Sequence, residues 1–388
     1  MALDRITLLR NDADRRLAHE IAAGVLRQRR RLDRRLAPLL DRGWVATPED
    51  TKDLLRIGAY QLLELDRVPA YAAVQATVDT AKRAVGTGVG RFVNAVLRRL
   101  ADAPPTGEPD ALAERYSHPD WLVARWTARW GVARTETLLT HNNTRPPLVI
   151  QPVRWSRERL AEALRTAGIA HRPAPFEHGL IVDGTRVDSM PGYAAGAFVV
   201  QDAAQRHLLE AAQIPHEALV WDACAAPGGK TALLARRRRV IASDIGQSRT
   251  LKLCDTLRRT DSRVPVLVVD ARYPPFRPAS LPVVLVDAPC TATGTMARHP
   301  DARWRLTAER LAHLVRRQAE LLAGSATCVG PGGRLVYMTC SLEPEENEAQ
   351  VDDFLSQHPA FRREQPDVFV FPPDTQTDGG FMALVTRG

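Results

Sequence analysis

Three regimes of hydrophobic patterning follow one another along this chain. Over residues 1–100 apolar positions recur at helical spacing. Leu17, Ile21 and Val25 step by four, and Leu32, Leu36 and Leu40 repeat the step, which is the signature of one buried helix face. Asp53-Leu54-Leu55-Arg56-Ile57-Gly58-Ala59-Tyr60-Gln61-Leu62-Leu63 and Phe92-Val93-Asn94-Ala95-Val96-Leu97-Arg98-Arg99 keep that period. The pattern predicts an all-α domain of roughly five to seven helices. Ala103-Pro104-Pro105-Thr106-Gly107-Glu108-Pro109 breaks it with turn-forming residues and reads as a linker.

In the second regime the periods are short and mixed. His118-Pro119-Asp120-Trp121-Leu122-Val123, with Trp126 and Trp130, opens a helical connector. Leu148-Val149-Ile150, Arg157–Ala167 and Leu180-Ile181-Val182 then predict strand, helix and strand of a small α+β subdomain. The third regime is entered through Ala197–Gln205. Continuous apolar runs, the pattern of fully buried strands, alternate there with helical stretches, as in a mostly parallel α/β sheet. Predicted strands are Ala218-Leu219-Val220, Val240–Ser243, Val264–Val269, Val283–Val286 and Gly333–Met338. Predicted helices cover 247–259, 307–328 and 344–357, with a closing hairpin. The resulting division is 1–105, 106–200 and 201–388.

Acids punctuate the strand ends. Asp222, Asp244, Asp270 and Asp287 all fall at or near carboxyl ends of predicted strands, the rim on which open α/β sheets bind ligands. One stretch of that rim is glycine-rich: Trp221-Asp222-Ala223-Cys224-Ala225-Ala226-Pro227-Gly228-Gly229-Lys230-Thr231 joins a strand to a helix. Such a turn brings backbone N–H groups close to a ligand, and the acid ending the next strand, Asp244, stands where these folds contact a ribose hydroxyl. A phosphate-gripping P-loop needs a further glycine four intervening residues ahead of its Gly-Lys-Thr, and Cys224 occupies that place. The three-glycine dinucleotide spacing is also missing. A nucleoside cofactor without a clamped pyrophosphate remains, which suits S-adenosylmethionine. Lysine occurs only at Lys52, Lys82, Lys230 and Lys252, so its presence in this loop is informative.

Charge adds a partner. Residues 1–100 hold 19 Lys+Arg against 12 Asp+Glu, seven of the chain's net +8, and Arg27, Arg29, Arg30, Arg31, Arg34 and Arg35 crowd one stretch. A basic helical region of this kind fits a polyanion, RNA or DNA. No apolar run is long enough for a membrane span, and the N-terminus lacks a signal-peptide profile, so a cytoplasmic protein is expected. The five cysteines, 224, 254, 290, 328 and 340, form no C-x-x-C pair; neither a disulfide framework nor a metal site is expected.

Two of those cysteines sit at strand exits: Asp287-Ala288-Pro289-Cys290 and Thr339-Cys340-Ser341. Cys254 and Cys328, inside helices, read as small hydrophobes, and Cys224 as a packing or backbone residue of the loop. Two thiols and a carboxylate beside a methyl donor fit one reaction well. Cytosine C5 is too weak a nucleophile unaided. A thiolate adding to C6 makes C5 an enamine carbon, Asp287 can hydrogen-bond the N3 edge, and a second thiol can help remove the C5 proton. Thiolate formation calls for a nearby cation such as Lys230, an arginine or a helix N-terminus, because a free thiol titrates near 8.5.

These segments resemble a known family. Asp222–Thr231, Asp287-Ala288-Pro289-Cys290-Thr291-Ala292-Thr293-Gly294, Arg298-His299-Pro300-Asp301-Ala302-Arg303-Trp304, and Tyr337-Met338-Thr339-Cys340-Ser341 with Glu346-Asn347-Glu348 look like the RNA 5-methylcytosine methyltransferases of the NOL1/NOP2/Sun family. Leu55–Leu62 and Phe92–Arg98 resemble the NusB-like RNA-binding domain that precedes the catalytic domain in its bacterial Sun/Fmu type. The resemblance implies an all-α NusB-like domain, a small α+β connector and a Rossmann-like S-adenosylmethionine-dependent domain that methylates small-subunit ribosomal RNA. It implies Cys340 as nucleophile and Cys290 as the product-release residue, roles the spacing alone leaves tied. It also implies a cofactor site formed by Cys224, Ala225, Ala226, Pro227, Gly228, Gly229, Lys230, Asp244, Asp270 and Asp287.

Two departures stand out. Val149-Ile150-Gln151-Pro152-Val153 replaces the relatives' Trp-Leu-Arg-Val-Asn, which puts RNA contacts from that strand in question. Asp378-Gly379-Gly380-Phe381 replaces Asp-Gly-Phe-Phe; neither change is expected to touch the catalytic constellation. Two rival readings differ in class. An amino-group methyltransferase would carry an Asp/Asn-Pro-Pro-aromatic loop where Asp287-Ala288-Pro289-Cys290 stands. A purely RNA-binding protein would leave the second thiol and the rim acids without a role.

Overall fold

The computed structural model describes residues 12–104, 107–184 and 186–388; the linker positions Pro105 and Thr106 lie outside them. The chain divides into two compact units. One runs to Thr144 and takes in His299–Arg305; the other comprises Arg145–Arg298 and Leu306–Gly388.

The first unit is helical: α1 (Asp12–Leu36), α2 (Glu49–Glu64), α3 (Ala70–Ala84), α4 (Thr87–Asp102), α5 (Leu112–Arg115) and α6 (Asp120–Asn142). Its core is the predicted apolar face. Leu32, Leu36, Leu55, Val93, Val96 and Leu97 are fully buried, while Leu17, expected to open the stripe, stays exposed. Two glycines set the helix approach. A Cβ on Gly24 would fall 1.9 Å from the Tyr60 ring, and one on Gly58 would fall 2.4 Å from Leu97. Arg56, nearly inaccessible, donates to Asp33 at 2.7 and 2.9 Å and to Asp53 at 2.7 Å, which ties α2 to α1. The α1 arginine strip is partly consumed in the same way, with Arg30 paired to Asp120 at 2.9 Å and Arg34 to Glu114 at 3.5 Å.

The second unit begins with a four-stranded sheet. Strands β1 (Leu148–Pro152), β2 (His171–Pro173), β3 (Leu180–Val182) and β4 (Phe198–Val200) take the order β2-β3-β1-β4, and β1 runs antiparallel to both β3 and β4. Helix α7 (Arg157–Thr166) is capped by Ser156 accepting from the Arg159 N–H, and it buries Leu160 and Leu164 against Ile150 and Phe198. Gln151, in the altered segment, is buried in this sheet and donates to the Gln201 carbonyl at 3.4 Å.

After α8 (Ala203–Ala211) come β5 (Leu219–Asp222), α9 (Gly229–Leu234), β6 (Arg239–Asp244), α10 (Gln247–Arg259), β7 (Val266–Val268) and β8 (Leu281–Asp287). The chain continues through α11 (Ala302–Arg305, within the first unit), α12 (Ala308–Ala326), β9 (Val329–Thr339), α13 (Glu348–Gln357), β10 (Phe361–Arg363), β11 (Val368–Val370), α14 (Pro372–Thr375) and β12 (Gly380–Arg387). The large sheet has the order β10-β12-β9-β8-β5-β6-β7, with β11 paired to β12. Strands β5 to β9 are parallel and β12 is antiparallel to β9. Apolar side chains on both faces form two clusters, one including Val220, Leu285 and Met338, the other Trp221, Val284 and Tyr337. That accounts for the unbroken apolar runs of the sequence. No described helix is long and apolar enough to cross a membrane.

Candidate active site

Because β5, β6 and β8 point the same way, Asp222, Asp244 and Asp287, their last residues, share one rim; Asp270 follows β7 on the same side. Ala223, Cys224, Asp244, Ile245, Val269 and Asp270 line a cleft there, closed by Pro289, Arg317 and Leu321. Gly228 caps α9 with φ +105°, and a Cβ would meet Leu253 at 2.9 Å. The turn into α9 therefore needs glycine on both counts.

The carboxylates on this rim differ in environment. Asp244 is buried and accepts from the N–H groups of Ala226 at 3.3 Å and Gly246 at 3.1 Å, and from Arg249 at 3.1 Å. Asp270 lies in the grip of Arg272, with contacts of 2.7 to 3.0 Å that hold its carboxyl below the usual range. Asp222, fully buried, accepts from Thr231 Oγ1 at 2.7 Å through Oδ2, while Oδ1 has no partner among the described residues. Burial pushes its carboxyl up to about 7. An unpaired buried carboxylate oxygen and a backbone-held acid on the next strand suit a ligand with a cationic end and a ribose. The residues present thus fit S-adenosylmethionine.

The Asp222 shift has a thermodynamic consequence. A carboxyl whose folded value lies above its unfolded one destabilises the fold increasingly as pH rises between the two, here from about 4 to about 7, and by a constant amount beyond. Asp222→Asn removes that penalty. Its stability relative to wild type should therefore be more favourable at about pH 8 than at about pH 5, as read by thermal unfolding without cofactor. A difference that does not change with pH would assign the penalty to another group.

Lys230 is held by two polar partners on the rim. Its ammonium donates to Asp287 Oδ2 at 2.7 Å and to Gln205 Oε1 at 2.9 Å, and Gln205 in turn donates to the Gly379 carbonyl at 3.4 Å. Lys230 thus joins a chain that fixes Asp287. Cys224 lines the cofactor cleft, and burial holds its thiol far above the ordinary range, so it stays protonated.

Cys290 and Cys340 meet, their sulfurs 3.4 Å apart. Parallel pairing of β8 with β9, Asp287 opposite Met338, brings the two strand exits side by side. The hydrogen bond shared with the Cys340 sulfur, and then burial, push the Cys290 thiol well above its ordinary value. The loops beneath are laced together. Gly294 N donates to the Cys340 carbonyl at 3.0 Å, Leu342 N to Thr293 Oγ1 at 2.7 Å, and Asn347 Nδ2 to the Ser341 carbonyl at 3.0 Å. Glu346, wholly inaccessible, accepts from Thr291 N at 2.9 Å, from Thr291 Oγ1, and from Gln318 Nε2 at 3.0 Å.

The turn at 378–381 is part of this framework, contrary to expectation. Gly379 N donates to the Gly294 carbonyl at 2.7 Å, and a Cβ on Gly380 would lie 2.7 Å from the Thr339 carbonyl and 2.9 Å from Gln205. Glycine at 380 lets Gln205 and the Cys340 strand approach together. Arg298 anchors the same turn, donating to Asp378 at 2.7 Å, Asp202 at 2.6 Å and the Pro147 carbonyl at 3.0 Å. Gln205, Thr231, Arg298 and Gln318 were given no role in the sequence, although Thr231 and Arg298 lie within the quoted family segments, Gln205 ends the run 197–205 and Gln318 lies in the predicted helix 307–328.

A parallel sheet with this strand order, a glycine turn after its first strand and acids along the rim define an S-adenosylmethionine-dependent methyltransferase. The family described as 16S rRNA methyltransferase RsmB/F matches residues 210–385, the NusB family matches 4–102, and the ferredoxin-like domain of RsmF/B-like methyltransferases matches 118–188. The chain is 37% identical over 372 residues, 90% of its length and 83% of the relative's, to the probable ribosomal RNA small subunit methyltransferase B of Synechocystis sp.. It is 34% identical over 398 residues, 96% and 90% of the two lengths, to ribosomal RNA small subunit methyltransferase B of Vibrio cholerae. Among solved structures it resembles PH0851 with TM-score 0.85 and 25% identity, over 97% of this chain and 91% of the other. It shares its fold with NSun6 from Pyrococcus horikoshii with SFG, at TM-score 0.63 and 18% identity, over 69% and 98%. The chain belongs to the RsmB/F family of 16S rRNA methyltransferases.

Proposed function

We propose that this enzyme methylates cytosine at C5 in small-subunit ribosomal RNA through a covalent bond between Cys340 and C6. The observation that supports this most is the sulfur pair, 3.4 Å apart, on the same rim as Asp287 and the cofactor cleft. S-adenosylmethionine, when bound, supplies an electrophilic methyl group. The segment Cys224–Lys230, Asp244 toward the ribose, Asp270 and Asp287 would hold it.

The chain's residues do the rest. As the family resemblance implies, Cys340 attacks as the thiolate, with the Cys290 sulfur 3.4 Å away. As its bond to C6 forms, the C5=C6 electron pair shifts to C4–C5 and N3 takes up a proton shared by Asp287 and the Lys230 ammonium beside it. After C5 has been methylated, the Cys290 thiolate takes the C5 proton, N3 returns its proton to the Asp287–Lys230 pair, the C5=C6 bond re-forms and the Cys340 thiolate is expelled. A base must leave its stack to reach either thiol, so single-stranded or loop RNA serves best. In this reading residues 1–105 bind RNA, 106–200 connect, 201–388 carry the chemistry, and the enzyme works in the cytoplasm.

Bisulfite sequencing of ribosomal RNA from cells with and without the gene tests the reading. A small-subunit cytosine protected only when the gene is present is expected. Unchanged protection, with methylation found on an exocyclic amine instead, would overturn it. The cofactor assignment has its own test. Hydrogen bonds to charged groups contribute roughly 1.5–3 kcal/mol, so Asp244→Ala should weaken S-adenosylmethionine binding about ten-fold or more while RNA affinity holds. Calorimetry with unchanged cofactor affinity would move the ribose contact elsewhere.

A further inference from the structure

The helical unit holds a cleft that this chemistry does not use. It encloses about 640 Å³ and is lined by the C-terminal half of α1, the end of α4 and the α5–α6 segment. That volume is within the range of about 300–1,000 Å³ typical of ligand sites, enough to admit a nucleotide unit. Arg31, Arg34 and Arg35 line it from one face of α1, three and four residues apart. Arg115 lines it as well, and the lining carboxylates are Glu64 and Glu108. Four guanidiniums line the cleft, and Glu114 and Glu136 stand behind it as further carboxylate partners.

The arginines are not equally occupied. Arg34 has Glu114 at 3.5 Å, and Arg115 has Glu136 at 3.4 Å and Glu108 at 3.8 Å. Arg31 and Arg35 meet no carboxylate among the described residues. Arg31 donates to Gln28 Oε1 at 3.1 Å, and Arg35 to the Ala103 carbonyl at 3.4 Å. On a merely solvated helix face adjacent guanidiniums repel with nothing gained. Gathered in a cleft, they favour an anion whose charges are spaced along a chain, and a planar guanidinium fits a phosphate in bidentate fashion.

We propose that this cleft grips the phosphodiester backbone of the substrate RNA away from the catalytic centre, with Arg31 and Arg35 each on a phosphate. The proposal rests on RNA being the substrate and adds a site that lies partly outside residues 1–105, since Arg115 and the α6 residues complete it. The test uses the full-length R31A/R35A variant and a labelled single-stranded RNA oligonucleotide. Affinity at low salt should fall about ten-fold or more, and the slope of log affinity against log salt should flatten by about 1.4, two contacts at about 0.7 each. S-adenosylmethionine affinity and thermal unfolding should match wild type. R31K/R35K, which keeps the charge, should retain most of the slope. Wild-type RNA affinity and slope in the alanine pair would overturn the proposal. So would a loss confined to assembled ribosomal particles and absent on naked RNA, which would assign the cleft to an acidic protein. Weakened RNA binding with no cytosine methylation by wild type would sink the functional reading and leave the cleft standing; intact methylation with unaltered RNA affinity in the alanine pair would do the reverse.

Discussion

Cys340→Ala should be inactive and leave RNA free on a denaturing gel, whereas Cys290→Ala should hold methylated RNA covalently. The two sulfurs lie 3.4 Å apart, close enough to reach the same base, so only the stage of failure separates them. Without Cys340 no bond to C6 forms and C5 stays unactivated. Without Cys290 addition and methylation proceed, but the C5 proton has lost its acceptor and the Cys340–C6 bond persists. Positioned acid–base groups contribute roughly 10²–10⁴ in rate, so turnover of Cys290→Ala should fall by about that much while the first methylation still occurs. The assignment of the attack to Cys340 rests on the family resemblance, since two sulfurs 3.4 Å apart are equally placed by geometry. An adduct in Cys340→Ala with none in Cys290→Ala would exchange the two roles. Activity in both variants, with no adduct in either, would remove the covalent mechanism.

The rim was legible because strand ends and side-chain alternation are properties of a few adjacent residues. Asp222, Asp244 and Asp287 end β5, β6 and β8 as expected, and the helix predicted at 247–259 is α10. Nothing in the sequence said that β8 and β9 are neighbours, and that pairing alone is what makes Cys290 and Cys340 a pair. Long-range polar matches were equally hidden. The Gly379–Gly294 hydrogen bond and the Arg298 bridge join residues far apart in the chain. A departure at 378–381 therefore looked remote from the thiols although it packs beneath them. The partners of Lys230 were hidden for the same reason. A lysine on a cofactor loop has several carboxylates and thiols within its reach, and only the fold selects Asp287 and Gln205. In the first helix the arginine run was visible, but not which members α5 and α6 would neutralise.

Glu346→Ala should cost about 2–4 kcal/mol of stability and abolish turnover, a large effect for a residue that never meets the substrate. Glu346 is inaccessible, and its carboxylate receives the Thr291 N–H, the Thr291 hydroxyl and the Gln318 amide. Gln318 keeps a second acceptor in the Pro289 carbonyl at 2.9 Å, and the Thr291 hydroxyl keeps Ser341 at 3.1 Å. The Thr291 N–H has no replacement. A buried donor left unsatisfied costs about 1–3 kcal/mol, and the emptied volume adds to that through lost contacts. Thr291 directly follows Cys290, so releasing its N–H frees the thiol from the geometry that holds it beside Cys340. Burial raises the Glu346 carboxyl above the usual range, and the ionised form is the one that accepts from every neighbour. Glu346→Gln keeps the shape and one carbonyl acceptor, so it should recover most of the stability in urea denaturation. Its turnover should remain reduced, with product release rather than RNA binding affected. An alanine variant as stable as wild type would mean that the loop satisfies its N–H another way. A glutamine variant as damaged as alanine would assign the effect to the carboxylate's charge instead of its place in the hydrogen-bond network.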